Sequence, residues 1–271
     1  MLETFLDRSD GTLLPMPARL EELYGGPLRL RERCVFANFV STIDGIVSFD
    51  VPGQDQAKQV SRGYAGDRFM LGLLRAVAHA VVVGAGTLRK ERDSVWTAER
   101  AFPDARVEFA SLRVALGLSP RPLVVIVTGR GEVDIAAPVF IDGAPVIIAT
   151  TPAGAARVGR TPPHVQVREL GADSEGGLQS ADLVRLAVAE AGGERILTEG
   201  GPNLFGSFLK ERVVDELFLT IAPQIAGRSR DARRTGLVEA AAFLPDDAPR
   251  ATLSSLKRSE DYLFTRFAFG R

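Results

Sequence analysis

The strongest constraint on the fold is a series of short, mostly apolar segments separated by helical patterns and glycine turns. The segments are AVVVG (80–84), LVVIVT (123–128), VIIAT (146–150) and RILTE (195–199). Strands that lack polar alternation are buried on both faces, and β-α-β connections make neighbouring strands parallel. The middle of the chain therefore predicts a mostly parallel sheet that is flanked by helices on both faces.

The remaining strand patterns complete a mixed sheet. The run CVFANFVSTI (34–43) is rich in strand formers and stops at a turn signal, Asp44–Gly45. Near the C-terminus, ATLSSLKRS and the alternating DYLFTRFAFG predict antiparallel strands. We therefore expect an α/β fold in which residues 34–271 form a single domain and residues 1–33 form an N-terminal extension packed on it.

Local signals place the helices and loops between these strands. Apolar residues at helical spacing predict a helix over 66–79, and Ser180 is expected to cap another helix that ends at a Gly-Gly pair, 192–193. Residues 46–60 are predicted as loop, and residues 88–119 as a helix with a long loop.

Charge and cysteine content narrow the class of protein. The 271 residues carry a formal net charge of -1, which argues against a nucleic-acid binder, and no polybasic block suggests a membrane surface. Glu3, Asp7 and Asp10 contradict a signal peptide, and no apolar stretch reaches transmembrane length. Cys34 is the single cysteine, so an intramolecular disulfide is excluded. We expect a cytoplasmic protein.

Three glycine turns follow predicted strands and mark a candidate ligand edge. They span residues 84–87, 128–131 and 199–202. Ligands of open α/β sheets bind beyond the carboxyl ends of the strands. Glycines there let the backbone approach a phosphate group closely, and helix N-termini donate N–H groups to it. Thr87 can add a hydroxyl donor, and Arg130 can pair with a phosphate in bidentate fashion. The three turns together indicate an anionic, extended ligand such as a dinucleotide.

Other kinds of site fit the sequence poorly. Each glycine turn taken alone is also explained as a tight connection, and GAGTLR has Arg89 where the dinucleotide fingerprint needs its third glycine. The two histidines, His79 and His164, are far apart in the chain, and one cysteine cannot build a Cys/His zinc set. No GxSxG elbow is present. We therefore predict no metal site.

Two acids close strands at the candidate ligand edge. Asp44 ends the first long strand, and Glu199 ends RILTE. Asp44 is also explained as a turn residue before glycine, and Glu199 as an acid that complements a helix dipole. Asp215 and Glu216 are expected to be solvent-facing or structural.

Several segments resemble a known enzyme family. ANFVSTIDG, GDRFMLGLLRAVAHAVVVGAGT, RPLVVIVT and RILTEGGPNLFGSFLKERVVDELFLTIAP resemble the reductase half of the bacterial bifunctional riboflavin-biosynthesis deaminase-reductase, which has a dihydrofolate-reductase-like fold. The resemblance runs in order from residue 35 to the C-terminus. The zinc motifs of the deaminase half, His-x-Glu and Pro-Cys-x-x-Cys, are absent. The chain thus looks like a stand-alone reductase.

The resemblance implies a reaction, a cofactor and a set of site residues. Members of the family use NADPH to reduce the ribosyl group of an aminopyrimidine phosphate to a ribityl chain, and they form homodimers through strands of the sheet. Arg75 and Glu199 match the substrate-binding positions, and Arg130 lies where the 2′-phosphate is expected. The implied cofactor-binding residues are Asp44, Gly84, Gly86, Thr87, Gly129, Arg130, Gly200, Gly201, Pro202, Asn203, Leu204 and Phe205.

The sequence is compatible with more than one substrate and with more than one proton donor. The turn after Thr87 reads LRKERDS, whereas the bifunctional enzymes more often carry two acids and a proline there. Dihydrofolate or pterin reduction on the same fold is therefore an alternative, as is a non-catalytic NADPH-binding protein. Hydride transfer also requires a proton, and Asp44 and Glu199 are the candidate catalytic residues that orient or relay it.

Overall fold

The computed structural model describes residues 1–51, 56–172, 176–230, 232 and 234–270. Within these ranges no helix is long and apolar enough to cross a membrane. The strands are β1 (Glu3–Asp7), β2 (Thr12–Leu13), β3 (Arg29–Leu30), β4 (Cys34–Thr42), β5 (Ile46–Ser48), β6 (Ala80–Gly84), β7 (Leu123–Thr128), β8 (Val146–Thr150), β9 (Val165–Glu169), β10 (Arg195–Thr198), β11 (Glu216–Ala222), β12 (Thr235–Gly236), β13 (Ala251–Ser259) and β14 (Tyr262–Phe269). The α-helices are α1 (Ala18–Tyr24), α2 (Gln56–Ser61), α3 (Ala65–Val77), α4 (Ala85–Lys90), α5 (Ala98–Ala101), α6 (Arg106–Ala115), α7 (Pro138–Ile141), α8 (Pro152–Val158), α9 (Ser180–Ala191) and α10 (Pro202–Lys210).

One large mixed sheet dominates the fold. Among the described residues it has ten strands in the order β1-β13-β14-β11-β4-β10-β6-β7-β8-β9. Every neighbouring pair from β11 to β9 is parallel, and β14, β13 and β1 add to the β11 side as antiparallel strands. The prediction of a mostly parallel sheet with antiparallel C-terminal strands is confirmed.

Helices bury both faces of this sheet, as its mostly apolar strands require. On one face Phe36 and Leu197 pack in a core with Leu73 and Leu74 of α3. On the other face the sheet packs against α9 and α10, and that core includes the buried side chains of Val82, Ile196, Leu183, Phe205 and Phe208. Because successive strand residues point to opposite faces, one strand supplies both cores.

Three local predictions differ from the structure. Residues 46–60 are not all loop, because β5 and most of α2 lie within them. The segment 88–119 contains the end of α4, all of α5 and α6, and a short 3₁₀ turn. Ser180 is the first residue of α9 rather than its cap, and the Glu211 carboxylate accepts hydrogen bonds from the Ser180 and Ala181 N–H groups at 2.7 and 3.0 Å. Glu211 follows α10 and is distant in sequence from Ser180, so the local sequence pattern could not predict this capping contact.

Two consecutive acids at the start of β11 are buried, and their role is structural. Asp215 accepts a hydrogen bond from the Val35 N–H at 2.8 Å and so ties the start of β11 to β4. Glu216 lies 2.6 Å from the Arg266 guanidinium, and the two side chains are only 1% and 2% exposed. Arg266 also stacks over Phe218 at 4.9 Å from the ring centroid. Of the two interpretations of these acids, the structural one is therefore confirmed.

The first 33 residues contribute an edge strand and a helix to this side of the sheet. β1 pairs with β13, and the Leu2 N–H donates to the Leu23 carbonyl at 2.9 Å. Lys257 of β13 is buried over the Tyr24 ring at 4.1 Å from its centroid, and its ammonium donates to Thr4 at 2.6 Å.

The Glu216–Arg266 pair yields a stability prediction. Arg266→Leu leaves the Glu216 carboxylate buried without its principal cation, so we expect the free energy of unfolding to fall by about 3–5 kcal/mol in urea denaturation. Adding Glu216→Leu removes the uncompensated charge and should restore most of that loss. As a control, Arg258→Leu breaks an ion pair whose side chains are 50% and 60% exposed, and it should change stability by less than about 1 kcal/mol. Equal destabilisation in the single and double variants would contradict this account.

Candidate active site

A cavity of about 830 Å³ lies where the loops after the parallel strands meet. Its volume is typical of a site for a small molecule or cofactor. The structure brings residues of all three glycine turns into its wall. The predicted site residues that line it are Arg75, Gly84, Gly86, Thr87, Gly129, Arg130, Glu199, Gly200, Gly201, Pro202, Asn203 and Leu204.

The glycines let neighbouring turns approach closely or leave space open. A β-carbon placed on Gly201 would lie 3.1 Å from Thr87 Oγ1, so the first and third turns face each other. A β-carbon on Gly129 would lie 2.8 Å from the Gly176 carbonyl oxygen. At Gly84, by contrast, no atom of the described residues lies within 4 Å of that position. A side chain at Gly201 or Gly84 would therefore occupy the space of the cavity.

The N-terminus of α10 opens into the cavity without a side-chain cap. Gly201 is the N-cap residue and has no side chain with which to accept a hydrogen bond, and Pro202 begins the helix. The next residues, Asn203 and Leu204, also line the cavity. Unsatisfied N–H groups in a first turn carry partial positive charge and favour an anion. Phe205, in contrast, is buried in the core beneath α10 and is absent from the cavity lining among the described residues.

A buried ion pair connects α3 to the turn after β10. Arg75 Nε and Nη2 donate to the two carboxylate oxygens of Glu199 at 2.8 and 2.6 Å, and Arg75 Nη1 donates to the Thr97 carbonyl at 3.3 Å. The two charged side chains are 7% and 8% exposed. Sequence reasoning assigned both residues to the substrate but did not pair them. The pairing fixes both side chains and largely neutralises their charges.

Asp44 lies outside this lining and has a structural set of partners. Its carboxylate accepts hydrogen bonds from Thr42 Oγ1 at 2.6 Å and from the N–H groups of Ala226 and Gly227 at 3.0 and 2.8 Å. These bonds, that from Thr42 first, lower the pKa of Asp44 to about 2. An acid with this pKa is ionised near neutral pH, so Asp44 is poorly suited to donate a proton.

Basic side chains line the cavity beside the first two glycine turns, and acids such as Asp50 and Glu132 line it as well. Arg130 and Arg89 are exposed and line it, and neither has a hydrogen-bonding or ion-pair partner within the described ranges. Lys90, at the end of α4, instead binds Asp50 at 2.7 Å, and both residues line the cavity. Arg130 follows β7 and is therefore placed beside the glycine turn that contains Gly129. Its guanidinium is available for an anionic ligand.

Two of the lining residues that sequence reasoning missed lie on α3 and β4. Asp67, in the first turn of α3, is only 8% exposed and lines the cavity together with Leu71 and Arg75. The spacing of four residues from Asp67 to Leu71 to Arg75 was the available signal, since it places all three on one helix face. Asn38 lines the cavity from β4, where its amide lies between the apolar residues Ala37 and Phe39.

The histidines are held by backbone groups. His79 accepts a hydrogen bond from the Arg195 N–H at 3.3 Å, and its pKa is lowered to about 4, first by burial and then by the charges of Arg195 and Arg113. His164 Nε2 lies 2.9 Å from the Phe140 carbonyl oxygen. Within the described parts of the chain, no group of three or more potential metal ligands is found.

Comparisons with known proteins agree with this arrangement. A family model described as the RibD C-terminal domain matches residues 33–260. A 2,5-diamino-6-ribosylamino-4(3H)-pyrimidinone 5′-phosphate reductase from Archaeoglobus fulgidus is 28% identical over 198 residues, which cover 71% of this chain and 81% of that protein. The resemblance read from the sequence is confirmed.

Solved structures share the fold. A pyrimidine reductase-like protein from Corynebacterium diphtheriae matches with a TM-score of 0.63 and 24% identity, over 93% of this chain and 98% of its own. A deaminase/reductase from Thermotoga maritima also gives a TM-score of 0.63, with 20% identity, but the match covers 88% of this chain and 57% of that longer protein. The reductase-like fold is thereby shown, both as a whole chain and as part of a bifunctional one.

The hydrogen bonds of Asp44 yield a prediction about pH. Because the folded-state pKa is below the unfolded value, the ionised carboxylate contributes stability that is present above pH 4 and is lost as the pH falls towards 2. Asp44→Asn should therefore be less stable than the wild type at pH 6, and the difference should shrink at pH 3, both measured by urea denaturation. The affinity for a cofactor in the cavity should stay within about twofold of wild type. A large loss of cofactor affinity without a loss of stability would instead show that Asp44 contacts the cofactor.

Proposed function

Because the chain belongs to the RibD C-terminal domain family, we propose that it is an NADPH-dependent reductase of a ribosylaminopyrimidine phosphate in riboflavin biosynthesis. The Archaeoglobus fulgidus relative is named as a reductase of such a compound, and the chain is an oxidoreductase. The observation that carries the proposal is one cavity in which an uncapped helix N-terminus lies next to the buried Arg75–Glu199 pair. That combination suits a phosphate-bearing cofactor beside a polar substrate.

The residues present fit a dinucleotide phosphate. The N–H groups at the start of α10 suit the pyrophosphate, and the bare turns at Gly84 and Gly201 leave space for the backbone to approach it. Thr87 faces Gly201 and can donate its hydroxyl. The exposed Arg130 supports NADPH over NADH, since a guanidinium pairs well with the 2′-phosphate that only NADPH carries.

The protein contributes position and electrostatics to the reaction. NADPH, when bound, would supply the hydride for this reduction. The ribosylamine must first open to an imine: the bond between C1′ and the ring oxygen breaks, the amine proton passes to that oxygen as a hydroxyl, and a C1′=N bond forms. Reduction of this bond would add the hydride to C1′ and one proton to the nitrogen. Arg75 holds Glu199 in a bidentate contact, so we propose that the Glu199 carboxylate orients the substrate. Three of the five Arg75 N–H donors are used, which leaves two for a substrate oxygen. Because Asp44 does not line the cavity, we propose that a water molecule in the cavity donates the proton to the substrate nitrogen.

Turnover on a defined substrate tests the proposal. Purified protein with the ribosylaminopyrimidine phosphate should oxidise NADPH, seen as loss of its absorbance, and Gly201→Val should abolish this together with NADPH binding. The valine side chain starts 3.1 Å from Thr87 Oγ1 and fills the space where the first and third turns meet. Gly171→Val is the control, because it adds the same side chain at an exposed position with no atom of the described residues within 4 Å. It should behave as wild type.

Each other outcome has a distinct meaning. Oxidation with dihydrofolate but not with the pyrimidine would favour a folate reductase. Thermal stabilisation by NADPH without turnover on either substrate would favour a non-catalytic NADPH-binding protein. Wild-type affinity in Gly201→Val would place the cofactor elsewhere.

Arg130 provides a test of the cofactor preference. Removing a charge-assisted contact to the 2′-phosphate in Arg130→Ala should raise the KM for NADPH by about 10- to 100-fold and leave the KM for NADH unchanged. Arg160→Ala, which removes an exposed arginine that does not line the cavity, is the control and should alter neither value. An equal rise in both KM values would show that Arg130 does not read the 2′-phosphate.

A further inference from the structure

The turn that carries Arg130 lies beside the start of α8. β7 and β8 are parallel neighbours, and their last residues, Thr128 and Thr150, are paired in register. The two chains therefore leave the sheet at the same edge. The chain after β7 forms the turn at 128–131, which lines the cavity, and the chain after β8 begins α8. Among the residues that the structure describes, none of α8 lines the cavity, so α8 can affect a ligand there only through its neighbours.

One side chain makes hydrogen bonds both to this turn and to α8. Thr151, the N-cap residue of α8, donates its hydroxyl to the Gly129 carbonyl at 2.8 Å and accepts a hydrogen bond from the Gly154 N–H at 3.0 Å. Thr151 is buried, so these bonds are largely shielded from water. Within the turn, the Gly131 N–H donates to Thr128 Oγ1 at 3.1 Å. The turn and the first residues of α8 are thereby joined through the Thr151 hydroxyl.

Glycines bring the two segments into direct backbone contact. Gly131 has a φ of 71°, and a β-carbon placed on it would clash with the Gly154 carbonyl oxygen. A β-carbon on Gly154 would lie 2.8 Å from the Gly129 carbonyl oxygen. On the other side of the turn, a β-carbon on Gly129 would lie 2.8 Å from the Gly176 carbonyl oxygen. The turn is therefore packed closely between α8 and Gly176, and close packing transmits small displacements.

Helix capping explains only one of the two Thr151 hydrogen bonds. Threonine is a favoured N-cap residue because its side-chain oxygen accepts a hydrogen bond from a first-turn N–H, here that of Gly154. A cap requires no donor, whereas the Thr151 hydroxyl also donates to Gly129. The second bond therefore acts on the turn rather than on the helix.

The backbone of this turn determines where the Arg130 guanidinium can reach. Arg130 is exposed, and its side chain has no hydrogen-bonding or ion-pair partner in the part of the chain that the structure describes. Its two neighbours, Gly129 and Gly131, both contact α8 or the Thr151 hydroxyl. Bidentate pairing of a guanidinium with a phosphate is directional, so its strength depends on where the backbone holds the side chain.

We propose that Thr151 is a positioning residue for the cofactor. Through its bond to Gly129 it fixes the turn from which Arg130 reaches the 2′-phosphate, so a helix outside the cavity lining contributes to the preference for NADPH over NADH. This inference rests on the proposed function. Removal of the hydroxyl leaves the start of α10 and the Arg75–Glu199 pair unchanged, so the parts common to both cofactors keep their contacts.

The dissociation constants of NADPH and NADH, measured by isothermal titration calorimetry, test the inference. Thr151→Val replaces the hydroxyl by a methyl group and loses both hydrogen bonds. We expect the Kd of NADPH to rise by about three- to tenfold and the Kd of NADH to change by less than about twofold. The kcat with NADPH should stay within about twofold of wild type, because the lost contact is made equally in the ground state and the transition state.

Matched variants identify the hydroxyl as the cause. Thr151→Ser retains the hydroxyl and should restore the wild-type Kd of NADPH. Thr161→Val is the control, because Thr161 also donates to a backbone carbonyl, that of Val165 at 3.2 Å, but does not line the cavity or contact this turn. It should alter neither Kd. If Thr151→Val does not fold, Thr151→Ala is measured instead, since it removes the same bonds without placing a methyl group against the Gly129 carbonyl, and the same selective rise is expected.

A double variant separates positioning of Arg130 from a general loss of packing. In the Arg130→Ala background, Thr151→Val should raise the Kd of NADPH by less than about twofold, because the contact that it positions is already absent. Additive losses, an equal rise for NADPH and NADH, or an unchanged Kd in Thr151→Val would overturn the inference. If wild type does not bind NADPH, or if Arg130→Ala weakens NADPH and NADH equally, the proposed cofactor preference falls and this inference falls with it. A selective loss in Arg130→Ala with a non-selective loss in Thr151→Val removes this inference alone.

Discussion

The parallel pairing of β10 between β4 and β6 is the constraint on which the rest of the arrangement depends. Thr198, the last residue of β10, pairs with Ala37 of β4 and Val82 of β6, and the Glu199 N–H still donates to the Val82 carbonyl at 3.0 Å. Parallel strands end at one edge of a sheet, so the turns that follow them must converge there. The turns after β6, β7 and β10 therefore share one cavity, although they are far apart in sequence.

The Arg75–Glu199 pair lies inside the cavity wall and links two elements that line the cavity. It joins the helix that covers one face of the sheet to the turn where β10 ends. Breaking one partner of a buried pair is strongly destabilising, so the pair holds α3 against the sheet edge as well as placing a carboxylate in the cavity. The glycine turns and the start of α10 lie on the cofactor side in our proposal. Asp67, Leu71 and Asn38 line the cavity from α3 and β4.

Local patterns in the sequence predicted most of the sheet, its covering helices and the lining glycines. Apolar strands and glycine turns act within a few residues, so they can be read without the fold. The pairing of Arg75 with Glu199 joins residues 124 positions apart, and the contacts of Asp44 with 226 and 227 join residues more than 180 apart. Such partners depend on tertiary geometry. Asp67 was overlooked for another reason, because the helix dipole also favours an acid in the first turn of a helix.

The most direct test of the central claim is a crystal structure of the protein with NADP⁺ and the aminopyrimidine phosphate. The account predicts the pyrophosphate at the N–H groups of Asn203 and Leu204, the 2′-phosphate against Arg130, and the substrate against the Arg75–Glu199 pair. A cofactor bound outside this cavity, or a substrate that does not contact this pair, would contradict it.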